Sequence, residues 1–369
     1  MASPGMTIDD LDTPCLIVDL DRMERNIQAW QAKIGATGAK LRPHVKTHKV
    51  PAIAKLQLHA GAAGITVAKV AEAEVFAAGG CDDIFIAYPV IGEAKWRRAA
   101  ELARSCTLTV GIDSEVGARG LSAAARAAGS TIRVRVEIDL GMNRSGVAPE
   151  QAGDLGKLVQ DLPGLELDGI FAFRSTSFPG AGERSIAVLG QEEGEMMADI
   201  AGRLRSQGIP IQEVSAGSTP TAYPVAQVPG ITEVRPGTYI FGDYMMAERG
   251  VVDYDDVALS ILCTVVSRPA PDKATVDGGS KTFCGDINPA RLQLRGYARA
   301  AGMNAYVEVM SEEHGVVRLG PGVEPCIGDR IAFYPIHVCT AVNLSDELVG
   351  MRGNRVEQVW PVAARGMRT

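Results

Sequence analysis

The feature that most constrains this chain is an alternation of short β-rich runs with Ala-rich stretches of helical periodicity, which begins at Lys40. Apolar residues recur at helical spacing in the intervening stretches, for example 51–60 and 114–128. This alternation predicts a parallel sheet with crossover helices, and its length fits a closed (β/α)₈ barrel of the TIM type in the α/β class. The main alternative is an open doubly wound sheet, which usually starts with a Gly-rich turn, but no GxGxxG follows any of these runs. The strand-like runs are 40–43, 65–68, 83–87, 108–112, 132–139, 167–173, 213–216 and 233–241.

The character of the sequence changes after about residue 248, where Val-rich runs recur without long helices between them. Gly and Pro separate these runs, so we expect a C-terminal antiparallel β domain. The N-terminal segment 13–19 is also strand-like and is expected to pack with that domain. The predicted domains are therefore a barrel at 20–247 and a β domain formed by 1–19 and 248–369. The strand-like runs of the β domain are 258–267, 273–276, 315–319, 330–333 and 355–360.

Composition excludes several classes of function. The chain has 37 Lys and Arg against 44 Asp and Glu, a net charge of −7, so no nucleic-acid partner is expected. No window approaches the length of apolar sequence that a membrane span needs. The 7 cysteines are odd in number, scattered and without a CxxC pair, which favours a reducing cytoplasm. The first residues show neither the basic start nor the apolar run of a signal peptide.

The first barrel strand leads into a basic run, Leu41-Arg42-Pro43-His44-Val45-Lys46-Thr47-His48-Lys49. Neighbouring positive charge lowers the pKa of a lysine amine and frees it to attack a carbonyl. Lys46 is thus a candidate Schiff-base lysine, and the alternative is that the run forms a solvated basic turn. Lys69 follows the second strand, but it runs directly into a helix, where a surface charge is the simpler interpretation.

Three later strand ends carry Gly-rich turns. Segment 139–146 contains Arg144, which can reach into the barrel mouth. Segments 215–220 and 235–239 follow the seventh and eighth strands, whose loops often bind phosphate in barrels of this type. Small residues and free N–H groups there predict an anion-binding turn. Together with Lys46, these turns predict a site for a phosphorylated aldehyde cofactor.

A second constellation is Pro335-Ile336-His337-Val338-Cys339-Thr340. On an extended segment, residues i and i+2 point to the same face, so His337 and Cys339 can share a metal. Imidazole and thiolate suit zinc better than magnesium or calcium. A buried cysteine beside a core histidine is the alternative. His314 is a possible third ligand, and Asp277 lies in a tight turn that we expect to enter the site.

These segments together resemble the D-threonine aldolase and D-serine dehydratase family of pyridoxal phosphate enzymes, whose barrel is like that of alanine racemase. The combination of Arg-Pro-His-Val-Lys-Thr-His-Lys with a distant His-Val-Cys carries the resemblance. It implies a Schiff base on Lys46, a divalent metal (Zn²⁺ or Mn²⁺) on His337 and Cys339, and a homodimer. The residues predicted to contact the cofactor are Lys46, Arg144, Gly217, Ser218, Thr219, Gly237, Thr238, Tyr239 and Asp277.

One departure from the family concerns the segment after the sixth strand. Many relatives carry a tyrosine and a histidine there, whereas this chain has Phe171-Ala172-Phe173-Arg174-Ser175-Thr176-Ser177-Phe178. Arg174 can bind a substrate carboxylate with both arms of its guanidinium. The predicted catalytic residues are therefore Lys46, His44 and Arg174.

The resemblance implies a lyase that acts on small D-3-hydroxy amino acids. We favour retro-aldol cleavage to glycine and an aldehyde, on whole-chain similarity. The alternative is a dehydratase of D-serine or D-3-hydroxyaspartate that uses the same site, since cysteine in the metal pair resembles that branch. An amino-acid racemase and a non-catalytic cofactor-binding protein are further alternatives, but the extra β domain and the His-Val-Cys pair argue against the latter.

Overall fold

The computed structural model describes residues 2–176 and 182–369. The chain divides into two compact units. The barrel unit comprises Ala29–Lys46, Pro51–Gly237 and Met367–Thr369, and the β unit comprises Met1–Gln28, Thr47–Val50 and Thr238–Gly366. The domain boundaries expected from the sequence, at residues 20 and 247, stay a prediction. Within the described ranges, no helix is both long enough and apolar enough to cross a membrane.

Eight parallel strands form the barrel, as predicted. After an N-terminal β1 (Cys15–Asp19) and α1 (Leu20–Gly35), the barrel strands are β2 (Lys40–Leu41), β3 (Ile65–Val67), β4 (Asp83–Pro89), β5 (Thr107–Ile112), β6 (Ile132–Ile138), β7 (Leu165–Ala172), β8 (Glu213–Ala216) and β9 (Glu233–Val234). The sheet order is β2-β9-β8-β7-β6-β5-β4-β3. The barrel closes between β2 and β3, because the N–H of Thr66 donates to the carbonyl of Pro43 (2.8 Å) and His44 pairs with Thr66 in a parallel bridge.

Amphipathic helices connect these strands, and α5 shows why they form. Ser114 caps its start by accepting the N–H of Gly117 (3.3 Å), and Gly129 ends it with φ +63°. Leu121 and Ala125, one turn apart, are fully buried, so one face packs into the core. The helices are α2 (Pro51–His59), α3 (Val70–Ala78), α4 (Glu93–Leu102), α5 (Glu115–Ala128), α6 (Ala152–Gln160), α7 (Ile186–Ser206) and α8 (Ala222–Ala226).

The eighth barrel strand is shorter than expected. The sequence predicts a strand over 233–241, but β9 ends at Val234 and a 3-10 turn covers Thr238–Ile240. Pro236 explains the difference, because a proline has no N–H to continue the ladder. The candidate phosphate-binding residues therefore lie in a loop, as a binding turn requires.

The β unit holds a nine-stranded sheet and three short helices. Its elements are α9 (Tyr244–Glu248), β10 (Leu259–Ala270), β11 (Lys273–Val276), α10 (Ser280–Phe283), β12 (Ala298–Ala300), β13 (Ala305–Met310), β14 (Gly315–Leu319), β15 (Arg330–Pro335), α11 (Val338–Leu344), β16 (Glu347–Arg352) and β17 (Arg355–Pro361). The sheet order is β11-β14-β13-β12-β15-β10-β1-β16-β17, and β11 also pairs with β10. The N-terminal strand β1 lies between β10, to which it is antiparallel, and β16, to which it is parallel. The five expected strands of this domain are present, and three strands, β12, β13 and β16, were not predicted.

Candidate active site

Lys46 lies just after the first barrel strand, in a 3-10 turn that covers Val45–Thr47. Its side chain is exposed, and its backbone N–H donates to Nδ1 of His44 (3.5 Å). The N–H of His44 donates in turn to the carbonyl of Pro236 (3.0 Å). The predicted cofactor lysine is therefore held at the carboxyl end of β2, where barrel enzymes place their reactive groups.

The rest of the basic run does not form a solvated face. Arg42 is buried in the barrel unit and donates to Glu233 (2.6 Å). Lys49 is buried in the β unit, where its Nζ donates to Oδ1 of Asn343 (2.7 Å). Of the two lysines in the run, Lys46 is the one whose side chain stays accessible.

The turns after β8 and β9 are joined to each other in the barrel unit. The N–H of Gly237 donates to Oγ1 of Thr219 (3.1 Å), and Ser218 is half-buried beside it. Gly217 has φ +82°, and a Cβ there would lie 3.0 Å from the backbone of α8, so any other residue would be strained and tightly packed. Four of the predicted cofactor contacts, Gly217, Ser218, Thr219 and Gly237, thus lie in one pair of turns.

Glu193, on α7, anchors these turns and was not predicted from the sequence. Its carboxylate accepts the N–H of Gly217 (3.1 Å), the hydroxyl of Thr221 (2.9 Å) and the N–H of Arg174 (3.3 Å). Burial raises the pKa of Glu193, and these donors only partly oppose the shift. A glutamate on an amphipathic helix usually lies at the surface, so no local pattern reveals this role.

The loop after β6 is held at two points. A carboxylate oxygen of Asp139 accepts three successive backbone N–H groups at 2.8–3.2 Å. The hydroxyl of Ser145 donates to Oε1 of Glu137 (2.8 Å). Between these points Arg144 is exposed, and its guanidinium carbon lies 4.6 Å from the ring centre of Phe173. The predicted cofactor contact Arg144 therefore projects from a fixed loop.

Glu137 is a second residue that the sequence did not reveal. Arg135, two residues earlier on β6, points inward to Glu233, so Glu137 faces the barrel interior as well. It is 3% exposed, and Oε2 has no hydrogen-bond partner among residues 2–176 and 182–369. Burial raises the pKa of Glu137, while the Ser145 hydroxyl and the Arg144 charge oppose the shift.

The barrel interior also contains a network of ion pairs that we call the inner cluster. Oε2 of Glu233 accepts from Arg42, and Oε1 accepts from Arg135, both at 2.6 Å. Burial raises the pKa of Glu233, but the two guanidinium groups outweigh it and hold that pKa far below its ordinary value. The inner cluster consists of Arg42, Asp83, Arg135, Asp168 and Glu233.

Arg174 is buried after β7, not extended into solvent. Its Nη1 lies 3.3 Å from a carboxylate oxygen of Glu192, which Arg184 also binds at 2.7 Å. Ser177 and Phe178, the last residues of the segment that departs from the family, lie outside the described residues. Substrate binding by Arg174 stays a prediction, and a substrate carboxylate would have to compete with Glu192.

In the β unit, the segment that carries the metal pair was expected to be extended, but only its first part is. His337 is extended (φ −143°, ψ 103°), but it is the residue before α11, so Cys339 lies in the first helical turn. The two side chains nevertheless lie close together. Burial opposes the charged imidazole, but the neighbouring Cys339 sulfur and the Asp286 carboxylate raise the pKa of His337 well above its ordinary value. The helix start, and not strand alternation, brings the two side chains together.

Each candidate metal ligand has polar neighbours within the β unit. Nδ1 of His337 lies 2.8 Å from Oδ2 of Asp286. Burial alone would raise the pKa of Asp286, but the hydrogen bond and charge of His337 outweigh it and lower that pKa to about 2. Sγ of Cys339 lies 3.3 Å from Oγ1 of Thr47 and 3.9 Å from Oγ1 of Thr238. The predicted cofactor contact Thr238 is therefore next to the sulfur.

Asp243 binds the backbone of the same segment and was not predicted from the sequence. Its carboxylate accepts the N–H of Met246 (2.8 Å), which caps α9, and the N–H of Val338 (3.2 Å). Burial raises the pKa of Asp243 to about 6, against the opposing charge of His337. The backbone between the two candidate ligands is thus fixed by a fully buried carboxylate.

The remaining predicted residues lie elsewhere in the β unit. Tyr239 is buried next to Thr238 in the chain, and Asp277 accepts the hydroxyl of Thr13 (2.6 Å) and the N–H of Thr264 (2.9 Å). His314 is exposed. In the described part of the chain, no group of three or more His, Cys, Asp or Glu is arranged to hold a metal. His314, the possible third ligand, is therefore not grouped with His337 and Cys339 among the described residues.

Two family models match consecutive parts of the chain. "Alanine racemase, N-terminal domain" matches residues 18–245, and "Putative serine dehydratase domain" matches residues 258–351. The first match includes all eight barrel strands, and the second includes most strands of the C-terminal sheet. Fold and matches together define the class: an alanine-racemase-like barrel joined to a serine-dehydratase-like β domain.

Individual relatives narrow the class. The chain is 35% identical to a D-threonine aldolase from Arthrobacter sp. over 99% of this chain and 96% of the relative. It is also 35% identical to D-threo-3-hydroxyaspartate dehydratase from Delftia sp. (strain HT23), over 90% of this chain and 92% of the relative. A solved D-threonine aldolase from Filomicrobium marinum superposes with a TM-score of 0.91 at 32% identity, with 100% of each chain covered.

The chain therefore belongs to the family of D-threonine aldolases, D-3-hydroxyaspartate dehydratases and D-serine dehydratases. This confirms the resemblance to pyridoxal phosphate enzymes drawn from the sequence, and it makes the protein an enzyme of the lyase class. A cysteine-to-alanine mutant of D-threo-3-hydroxyaspartate dehydratase, solved in the metal-free form, has a TM-score of 0.87 at 33% identity, and it covers 96% of this chain and 98% of that chain.

Proposed function

We propose that this protein is a pyridoxal phosphate- and divalent-metal-dependent lyase that cleaves D-3-hydroxy amino acids to glycine and an aldehyde. The observation that carries the proposal is the contact of Thr47, the residue that follows Lys46, with the sulfur of Cys339 at 3.3 Å. A predicted metal ligand thus touches the chain neighbour of the predicted cofactor lysine. Similarity to D-threonine aldolases over 99–100% of this chain supports the aldol reaction.

The barrel unit has the groups that a phosphorylated aldehyde needs. Lys46 would hold the aldehyde, and the turns of Gly217, Ser218, Thr219 and Gly237 would hold the phosphate through N–H and hydroxyl donors. When bound, pyridoxal phosphate supplies an electron sink for negative charge at the substrate Cα. Lys46 and His44, at the end of β2, are the groups that we expect to move protons there.

The donor set of the β unit fits a divalent metal. One imidazole and one thiol suit Zn²⁺, with Mn²⁺ as the alternative, and water or substrate would complete the coordination. A metal on His337 and Cys339 would supply Lewis acidity toward the β-hydroxyl of the substrate. Since two protein ligands leave positions open, the pair suits a catalytic metal better than a structural one.

Dehydration is the second candidate function, and the identity of Cys339 favours it. Cysteine rather than aspartate in the metal pair resembles the dehydratase branch, and a metal-free form is known for a cysteine mutant of a related dehydratase. In that reaction, Lys46 would remove the Cα proton and the hydroxyl would leave as water. Ammonia, not glycine, would then be released.

The proposed partners are small amino acids, with neither nucleic acid nor membrane, and a second copy of the chain in a homodimer. The proposed compartment is a reducing cytoplasm, because the 7 cysteines are scattered along the sequence and include no CxxC pair. Sedimentation equilibrium of the purified protein would test the dimer.

The deciding experiment incubates the purified protein with D-threonine, D-serine and D-3-hydroxyaspartate and assays glycine against ammonia. Glycine supports the aldolase, and ammonia supports the dehydratase. Chelation should abolish either activity while the cofactor absorbance persists. Full activity with no bound metal would instead favour a racemase. Borohydride reduction should label the peptide that contains Lys46, and a label on Lys69 would refute that assignment.

A further inference from the structure

We propose that Asp286 is the positioning residue of the metal pair, because it turns the ring of His337 so that Nε2 faces the metal together with Sγ of Cys339. The inference rests on the proposed function, since it requires that the pair binds a metal. Asp286 lies 51 residues before His337, in the turn after α10, and nothing in the local sequence marks it as part of a site.

The hydrogen bonds around Nδ1 carry this inference. Oδ2 of Asp286 lies 2.8 Å from Nδ1 of His337 and also accepts the hydroxyl of Thr340 at 2.9 Å. Asp286 thus accepts two hydrogen bonds on one oxygen, and the Nδ1 position is filled by the protein itself. Nε2 remains as the nitrogen for a ligand. A carboxylate on the distal nitrogen is the usual way in which proteins orient a metal-binding histidine and raise its basicity.

The turn that presents Asp286 is constrained. Cys284, two residues earlier, has φ +73°, a left-handed conformation that is strained for a non-glycine residue. It is buried, and its Sγ donates to the carbonyl of His337 (3.7 Å). The surroundings of His337 therefore hold this turn in a shape that the chain would not adopt alone, which keeps Asp286 opposite the ring.

The sulfur side has matching support. The hydroxyls of Thr47 and Thr238 lie within hydrogen-bond range of Sγ of Cys339. Hydroxyl donors stabilise a thiolate, the form that binds metal. With Asp286 on the imidazole, both ligands have partners that fix their direction, whereas a buried cysteine beside a core histidine would need neither.

The test measures metal affinity of the cofactor-loaded, full-length protein after metal removal. Zn²⁺ is titrated against a chromophoric chelator, and Co²⁺ is titrated while its absorption bands report the ligands. The variants are Asp286→Asn, Thr340→Val, His337→Ala and Cys339→Ala. Asp346→Asn is the matched control, because its side chain is 83% exposed in the same unit.

Loss of such a partner costs roughly 10–100-fold in metal affinity. We expect the lower end, about tenfold, for Asp286→Asn, because the Asp286 side chain is 39% exposed. Thr340→Val should cost less, Asp346→Asn nothing, and the Co²⁺ bands should stay unchanged in Asp286→Asn. Wild-type affinity in Asp286→Asn, or new Co²⁺ bands that make Asp286 a direct ligand, would overturn the proposal.

A second measurement separates this proposal from the proposed function. Nitrogen NMR of the metal-free protein should show the proton of His337 on Nδ1, and Asp286→Asn should disturb that signal. An Nδ1 without its proton overturns the role of Asp286 even when the protein binds metal. Equal Co²⁺ affinity in wild type, His337→Ala and Cys339→Ala would refute the metal function itself, and the role of Asp286 with it.

Discussion

Two buried glutamates in the same barrel have opposite environments. Glu233 has both carboxylate oxygens bound by guanidinium groups, and its pKa is lowered. Glu137, two residues nearer than Arg135 to the carboxyl end of β6, has one oxygen bound by Ser145 and the other without a partner in the described residues, and its pKa is raised. Burial is similar, so the difference lies in the partners.

The contrast separates structure from function within one barrel. Each carboxylate of the inner cluster is paired with a guanidinium group, so the cluster stabilises the fold and needs no ligand. At the mouth, the carboxylates of Glu137 and Glu193 have raised pKa values, which is typical of the part of an enzyme that meets its substrate. Substitutions in the inner cluster should therefore affect stability, and substitutions at the mouth should affect activity.

The largest effect is expected for Glu233→Gln. The change leaves Arg42 and Arg135 buried without their shared carboxylate, which should cost about 3–5 kcal/mol in the free energy of unfolding. Urea denaturation followed by fluorescence measures it. The control is Glu101→Gln, which removes the exposed ion pair between Glu101 and Arg104. It should change the free energy of unfolding by less than about 1 kcal/mol. Equal effects of the two variants would contradict a structural inner cluster.

The next effect concerns Arg174 and should appear in catalysis. Loss of a charge-assisted contact to an acidic substrate costs about 1.5–3 kcal/mol, or roughly ten- to a hundredfold in kcat/KM. Arg174→Ala should show this loss with D-3-hydroxyaspartate and little loss with D-threonine. Arg184→Ala, which removes the other guanidinium on Glu192, serves as control. A similar loss for both substrates, or none for either, would leave Arg174 without a role in specificity.

A smaller effect is expected for Glu137→Gln. The amide keeps the shape of the side chain and removes a charge that is buried without full compensation. The free energy of unfolding should change by no more than about 1 kcal/mol at neutral pH, because replacing a poorly compensated buried charge is often neutral. Urea denaturation beside Glu233→Gln makes the comparison direct, and a loss as large as that of Glu233→Gln would show that the mouth is also structural.

The smallest expected effect is the change with pH in the stability of Glu233→Gln and of Glu137→Gln relative to wild type. Glu233, with its lowered pKa, contributes stability above the unfolded value of about 4.5 that is lost as the pH falls through the folded pKa. Glu137, with its raised pKa, contributes stability below the unfolded value that is lost as the pH rises through the folded pKa. The melting temperature of Glu233→Gln should therefore lie closer to that of wild type in acid than at neutral pH. The melting temperature of Glu137→Gln should rise relative to that of wild type as the pH rises.

Local patterns predicted the barrel well, because each β-rich run and each amphipathic helix has its own periodicity. They failed where a single residue changed the backbone. Pro236 shortened the last strand, and the start of α11 replaced the extended segment at His337. Of the β-domain strands, β12 was missed because Ala298–Ala300 is too short for a detectable alternation.

The candidate ligands were predicted by residue type, but their supports were not. Glu193, Asp243 and Asp286 act on groups that are tens to about a hundred residues away in sequence. An acidic residue on a helix or in a turn has the same local pattern whether it faces solvent or a site. Only the folded chain shows which carboxylates are buried, and so which of them support chemistry.

Strand β1 has a consequence for synthesis on the ribosome. It is made first, yet Ile17 pairs with Ser260, and its other edge pairs with β16 still later. At about 5–20 residues per second, β1 waits on the order of 10–50 s for its first partner. During that time an apolar strand exposes two open edges, which invite association with other nascent chains. Within this sheet, β1 is thus the strand that waits longest for its neighbours.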